Sequence, residues 1–241
     1  GEPDARIVAF AALLQSHFPD VTNYVHSNHT GKSQNPEGDE QVVFGPGVIY
    51  DEIGDYRFEI SPRAFFQTNT LQAERLYEVA RDFAEFRPSD RLYDLYCGAG
   101  TISLFMSEHV DEVIGAELVE DAVTNARTNA EMNEVDNCTF VSGDLKDLFT
   151  DAFVDTHGRP DVLIVDPPRP GMHKDVVAQI KALAPERFVY VSCNPQTQVR
   201  DLERLRDVYR IDAVQPVDMF PHTPHVENVV RLTRRGETGE R

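Results

Sequence analysis

The chain has 241 residues, 41% hydrophobic and 27% charged, with 41 acidic against 23 basic side chains and a formal charge of -18. That length holds one large domain, or a domain with a smaller module, and the balance is that of an ordinary globular protein. A mean hydropathy of -0.40 without a long apolar run excludes a membrane span. No basic region followed by an apolar stretch marks a secretory signal. Three cysteines, Cys97, Cys138 and Cys193, lie too far apart for a disulfide framework or a four-cysteine metal or cluster site, and a reducing cytoplasm is the expected setting. The chain opens on Gly1, as a piece of something longer would.

A surface this acidic repels nucleic acid at low salt. The acids are spread along the chain rather than run together, which fits adaptation of the whole surface to concentrated salt, and only four of the basic residues are Lys. Net charge therefore leaves an RNA substrate open.

In chain order, apolar spacing predicts a helix over 5–17, and alternation predicts a strand over 21–27. A loop rich in Asn, Gly and Ser follows at 29–40. Two or three short strands with turns at Gly45-Pro46-Gly47 and Gly54-Asp55 run to residue 60. Residues 1–60 thus form a small α+β module, and 61–241 a second domain. From about residue 70 an amphipathic helix leads into alternating strands and helices, then two closing strands near 211–220 and 227–235. That alternation predicts a mostly parallel sheet covered on both faces, whose ligands sit beyond the carboxyl ends of the strands.

Those ends carry the chemistry. Tyr96-Cys97-Gly98-Ala99-Gly100-Thr101 is a Gly-rich turn into a helix, without the third Gly of a dinucleotide loop. Glu117 ends the next strand at the spacing of a ribose-binding acid, and Asp144 ends the third. Three strand-end acids repel a pyrophosphate but favour a ligand with hydroxyls, an amine and a sulfonium, as in S-adenosylmethionine. Asp166-Pro167-Pro168-Arg169 is a stiff turn after the fourth strand. Cys193 follows the fifth, placed to act as a nucleophile once anionic, while Cys97 and Cys138 read as packing. Near the end, His222 and His225 lack metal-ligand spacing, and no metal is expected; Glu227 fits a general base better.

Five segments appear in order: SPRAFFQTN at 61–69, DLYCGAGTISL at 94–104, DPPRPG at 166–171, VSCNPQTQVRDL at 191–202 and DMFPHTPHVE at 218–227. Together, over residues 60–235, they closely resemble the tRNA/rRNA (uracil-5-)-methyltransferase family. The resemblance implies a Rossmann-like class I methyltransferase domain with a mostly parallel seven-stranded sheet, S-adenosylmethionine as methyl donor, and an RNA substrate, ribosomal RNA ahead of tRNA. It implies cofactor contacts from Gln67, Tyr96, Thr101, Glu117, Asp144 and Asp166, with Thr101 standing where some members carry Asn. It implies Cys193 as the nucleophile that forms an adduct with the uracil ring and Glu227 as the proton acceptor. Members commonly carry an amino-terminal barrel of the TRAM type, and some an iron–sulfur cluster held by four cysteines that this chain cannot supply.

Phe65, Phe66 and Phe220 are candidates to stack on a flipped base, and Arg63, Arg169 and Arg200 to hold phosphate or base edges. Two other readings compete. An exocyclic-amine methyltransferase would begin its Pro-Pro motif with Asn and end it with an aromatic, whereas Asp166 and Arg169 stand here. A non-catalytic RNA-binding module would have no use for Cys193 and Glu227.

Overall fold

The computed structural model describes residues 4–29, 38–62, 64–148 and 150–236. Arg63 and most of the Asn/Gly/Ser-rich loop lie outside the described residues. Helix α1 (Ala5–His17) occupies the expected span and is capped by Asp4, whose carboxylate accepts from the Arg6 amide. Strands β1 (Tyr24–His29) and β2 (Gly38–Phe44) form an antiparallel pair. A second hairpin follows, β3 (Ile49–Ile53) and β4 (Tyr56–Ile60).

The remaining elements alternate. They are α2 (Thr70–Ala84), β5 (Arg91–Leu95), α3 (Thr101–Ser107), β6 (Glu112–Glu117), α4 (Glu120–Met132), β7 (Cys138–Ser142), α5 (Leu145–Leu148), α6 (Asp151–His157), β8 (Val162–Val165), α7 (Lys174–Leu183), β9 (Arg187–Ser192), α8 (Pro195–Leu205), β10 (Tyr209–Val217) and β11 (Glu227–Arg234). Seven strands make one sheet in the order β10-β11-β9-β8-β5-β6-β7. The pairs β9–β8, β8–β5, β5–β6 and β6–β7 are parallel, and β11 runs antiparallel to both its neighbours. The order reverses between β5 and β8, which opens a crevice at their carboxyl ends.

The central strands are buried on both faces, so they read as continuous apolar runs. In β8, Val162 and Ile164 enter one core with α2, α3 and α4, while Leu163 and Val165 enter the other with α7 and α8. The same two-residue alternation runs through Phe188, Val189, Tyr190 and Val191 of β9.

The second hairpin is built into the first core through Ile53 and Phe58, both fully buried. Three asparagines spaced four apart on α4 hold its edge. Asn133 Oδ1 accepts from the Arg57 amide at 2.9 Å and its Nδ2 donates to the Arg57 carbonyl at 2.7 Å. Asn129 Oδ1 accepts from the Glu59 amide at 2.8 Å, and Asn125 Oδ1 accepts from the Ser61 hydroxyl at 2.6 Å. One helix face thus satisfies backbone groups that a neighbouring strand would otherwise pair.

Candidate active site

Every residue singled out at a strand end stands on the same edge of the sheet. The β5–α3 turn needs positive φ at Tyr96, Gly98 and Gly100 (67°, 54° and 80°). A Cβ on Gly100 would meet Phe140 and Ala126 at 3.0 to 3.1 Å, so glycine is required there. Gly98 is different: nothing lies within 4 Å of a Cβ built on it, so the turn presents an open backbone face. Thr101 begins α3 and its hydroxyl bonds that of buried Tyr77 at 2.9 Å.

Glu117, at the end of β6, shapes this turn. One carboxylate oxygen accepts from the Gly98 amide at 3.1 Å, the other from the Leu118 and Val119 amides at 2.8 and 3.0 Å. Leu118 next to it is 62% exposed, an apolar surface beside a fixed acid. Asp144 follows β7 and pairs with Lys146 at 2.7 Å, which holds its carboxyl below the usual range. Gln67 is buried in the segment before α2. The nearby Asn69 donates from Nδ2 to the Met219 carbonyl at 2.8 Å, joining two of the five motifs across 150 residues. Desolvation pushes the Tyr96 phenol up to about 12.

The other half of the site comes from strand register. Ser192, the last residue of β9, pairs with Asn228 of antiparallel β11. One step beyond Ser192 is Cys193, and one step before Asn228 is Glu227, so the register brings these two residues together. Burial pushes the Glu227 carboxyl up to about 7, against the opposing pull of Arg169. Burial also raises the Cys193 thiol, helped by the charges of Glu227 and Asp166, and Arg169 again opposes. Asp166 is raised by desolvation and then by Glu227 and Asp94. Arg169 is thus the cation common to the thiol and the carboxyl.

The backbone carrying Arg169 is held from α8. The Thr197 hydroxyl and Asn194 Nδ2 donate to the Arg169 carbonyl at 3.0 and 3.2 Å. Arg200 Nη2 donates to the Pro170 carbonyl at 2.7 Å. Asp201, fully buried, accepts from the Met172 amide at 2.8 Å and from the Tyr190 hydroxyl at 3.0 Å. Sequence reasoning missed this clamp, because α8 shows only a polar face with no mark of what it touches.

Of the three aromatics expected to stack on a base, Phe66 packs on Phe58 at 5.8 Å and Phe220 packs against the first core, whereas Phe65 is 72% exposed. Cys97 is buried, and desolvation takes its thiol well above the ordinary range; Cys138, partly buried, is pushed up to about 12. Among the described residues no group of three His, Cys, Asp or Glu is arranged to hold a metal ion, and no helix is long and apolar enough to cross a membrane.

The sequence pattern of the family described as tRNA (Uracil-5-)-methyltransferase matches residues 49–235. The chain belongs to this family. It is 48% identical over 237 residues to an uncharacterized RNA methyltransferase of Bacteroides thetaiotaomicron, covering 96% of this chain and 52% of that protein. It is 46% identical over 233 residues to another from Porphyromonas gingivalis, covering 95% and 50%. The crystal structure of Pyrococcus abyssi tRNA (uracil-54, C5)-methyltransferase in complex with S-adenosyl-L-homocysteine superposes with a TM-score of 0.77 at 34% identity, covering 91% of this chain and 53% of that one. The chain therefore spans about half the length of the relatives it matches. Its α/β fold is that of the class I methyltransferases, with the mostly parallel seven-stranded sheet expected from the sequence.

Proposed function

We propose that this chain carries the catalytic domain of an S-adenosylmethionine-dependent RNA (uracil-5-)-methyltransferase, forming 5-methyluridine in ribosomal RNA or tRNA. The observation that carries the reading is the β9–β11 register, which sets a thiol and a carboxyl with a raised pKa beside each other under one arginine.

The donor set suits an adenosyl ligand. Glu117 offers a fixed carboxylate for ribose hydroxyls, exposed Leu118 an apolar face for the base, and Gly98 an open backbone. Gln67, Tyr96, Thr101, Asp144 and Asp166 line the remainder in this reading, with Asp166 nearest the reacting groups. Bound there, S-adenosylmethionine would supply an electrophilic methyl group on a sulfonium.

The chain's own residues do the rest. The Cys193 thiolate bonds carbon 6 of uracil, and the C5–C6 π pair moves to carbon 5, which becomes the nucleophile for the methyl group. The Glu227 carboxylate then takes the carbon-5 proton. The freed pair re-forms the C5–C6 double bond and expels Cys193 as thiolate. Arg169 stabilises the thiolate before attack and the carboxylate before proton removal. The target base enters a concave crevice, so it is single-stranded or flipped out, and exposed Phe65 is the aromatic available to stack on it.

Methyl transfer from labelled S-adenosylmethionine into total RNA lacking the modification, in low and molar salt, tests this. Label in 5-methyluridine that disappears with Cys193→Ala supports the reading, and the labelled RNA species decides between ribosomal RNA and tRNA. Label elsewhere, or transfer that survives the substitution, overturns it.

A further inference from the structure

An open pocket of about 410 Å³ lies between the amino end of α7 and the outer face of α8. Its floor is the backbone of Gly171 and Met172, and its walls carry His173, Lys174, Arg200 and Arg204. Four basic side chains around one depression are unexpected in a chain of charge -18.

The pocket's charges are also unusually free. Among the lysines of the described residues, Lys146 pairs with Asp144 and Lys181 with Asp207 at 2.6 Å, whereas Lys174 makes no ion pair within the described residues. Arg200 and Arg204 share a single oxygen of buried Asp201, at 2.9 and 3.5 Å, and both guanidinium groups stay nearly half exposed. Asp201 thereby fixes two arginine forks on one surface while most of their N–H groups still face solvent. His173 caps α7, accepting from the Asp175 amide at 3.3 Å, and Asp175 is the one acid beside it, at 3.5 Å. The amino end of α7 adds its partial positive charge.

The position gives this charge a purpose. The pocket's floor is the continuation of the Asp166–Gly171 turn that carries Arg169 to the catalytic pair. Along α8, Arg200 and Arg204 lie about 7 and 13 Å from Pro195, two residues beyond Cys193, at a rise of 1.5 Å per residue. A polyanion whose base occupied the site beside Cys193 would pass its neighbouring phosphates over these cations.

We propose that Lys174, Arg200, Arg204 and His173 form a phosphate-binding subsite for the RNA strand adjoining the target uridine. The proposal rests on the RNA methyltransferase reading and adds to it where the strand is gripped. It also explains how a strongly acidic chain can hold RNA: the overall field repels, and a local basic patch beside the crevice attracts.

The test is binding of a fluorescein-labelled RNA stem–loop with unmodified uridine, followed by anisotropy over a salt series. The full chain is compared with Lys174→Glu/Arg204→Glu and with Lys174→Gln/Arg204→Gln, which guards against misfolding of the first. Arg75→Glu/Arg210→Glu, exposed on α2 and β10, makes the same change in net charge elsewhere. The expected result is affinity reduced at least about ten-fold in both pocket variants, a log–log salt slope shallower by about 1, and near wild-type binding by the control. Equal affinity and slope in wild type and pocket variants, absence of binding by all, or an equal loss in the control overturns the subsite. Methyl transfer is measured in parallel. A wild type that binds RNA through the pocket without transferring methyl overturns the enzymatic reading while leaving the subsite standing.

Discussion

The hydroxyl of Thr197 donates to the main-chain carbonyl of Arg169 across 3.0 Å. A residue on α8 thereby sets the direction in which the DPPR turn delivers its arginine. Thr197→Val removes that donor while Asn194 still holds the same oxygen. The loss of one hydrogen bond worth about 1 kcal/mol predicts a fall in kcat of about five-fold, with cofactor affinity unchanged. Thr197→Ser restores the rate. Single-turnover kinetics beside isothermal titration of the cofactor separates the two quantities.

Cys193→Ala abolishes turnover without weakening cofactor binding. Glu227→Gln leaves addition intact and stops proton removal, so a protein–RNA adduct that survives denaturation accumulates. A denaturing gel with labelled RNA reads it directly. If the adduct never forms, the proton leaves to another group.

The pH profile has a worked sign. Glu227 accepts a proton only when ionised, and burial sets its midpoint at about 7. Turnover therefore rises with pH through neutrality, and rises further as the Cys193 thiol ionises above its ordinary range. In Glu227→Gln the nearby negative charge is gone, so the thiol ionises at lower pH than in wild type. The rate of alkylation of Cys193 against pH checks that shift.

Asp94 predicts a stability effect. It is fully buried, accepts from Ser103 at 2.6 Å, and desolvation pushes its carboxyl up to about 7. The folded state holds this proton more tightly than the unfolded state. The contribution is complete below the unfolded value and fades as pH rises through 7, at about 1.4 kcal/mol per pH unit within that window. Asp94→Asn keeps an acceptor for Ser103 and cannot ionise. Its thermal midpoint should lose less than that of wild type between pH 4 and 7, as calorimetry would register.

Glu117→Gln leaves one carbonyl oxygen where two carboxylate oxygens accept three amides. Cofactor affinity should fall by about 2 kcal/mol, roughly thirty-fold, since both a ribose partner and the shape of the Gly98 turn are lost. Equilibrium dialysis measures it.

Much of this site was legible in the chain because strand–helix alternation fixes where side chains emerge. Glu117, Asp144, Asp166 and Cys193 each follow an apolar run, and that alone assigns them to one edge. The helix over 5–17 was equally plain. Less visible was the embrace of the second hairpin by Asn125, Asn129 and Asn133, which read as the polar face of α4. Their partners lie 64 to 76 residues away, and no local period reports a contact of that span. Lys174 and Arg204 were missed for the same reason: in sequence they are two basic residues among 23, and only the fold places them around one hollow.

The packing around Gly115 has one more consequence. A Cβ there would meet Phe140 at 2.6 Å and the Cys97 sulfur at 3.0 Å, so the first of the three cysteines is walled in by aromatic and strand. Cys138 is held protonated by its surroundings. Of the three sulfurs, Cys193 alone lies at an open crevice with an arginine to favour its anion. A mild electrophile added to the native protein should then raise its mass by a single increment, and that increment counts intact reaction centres in a preparation before any RNA is supplied.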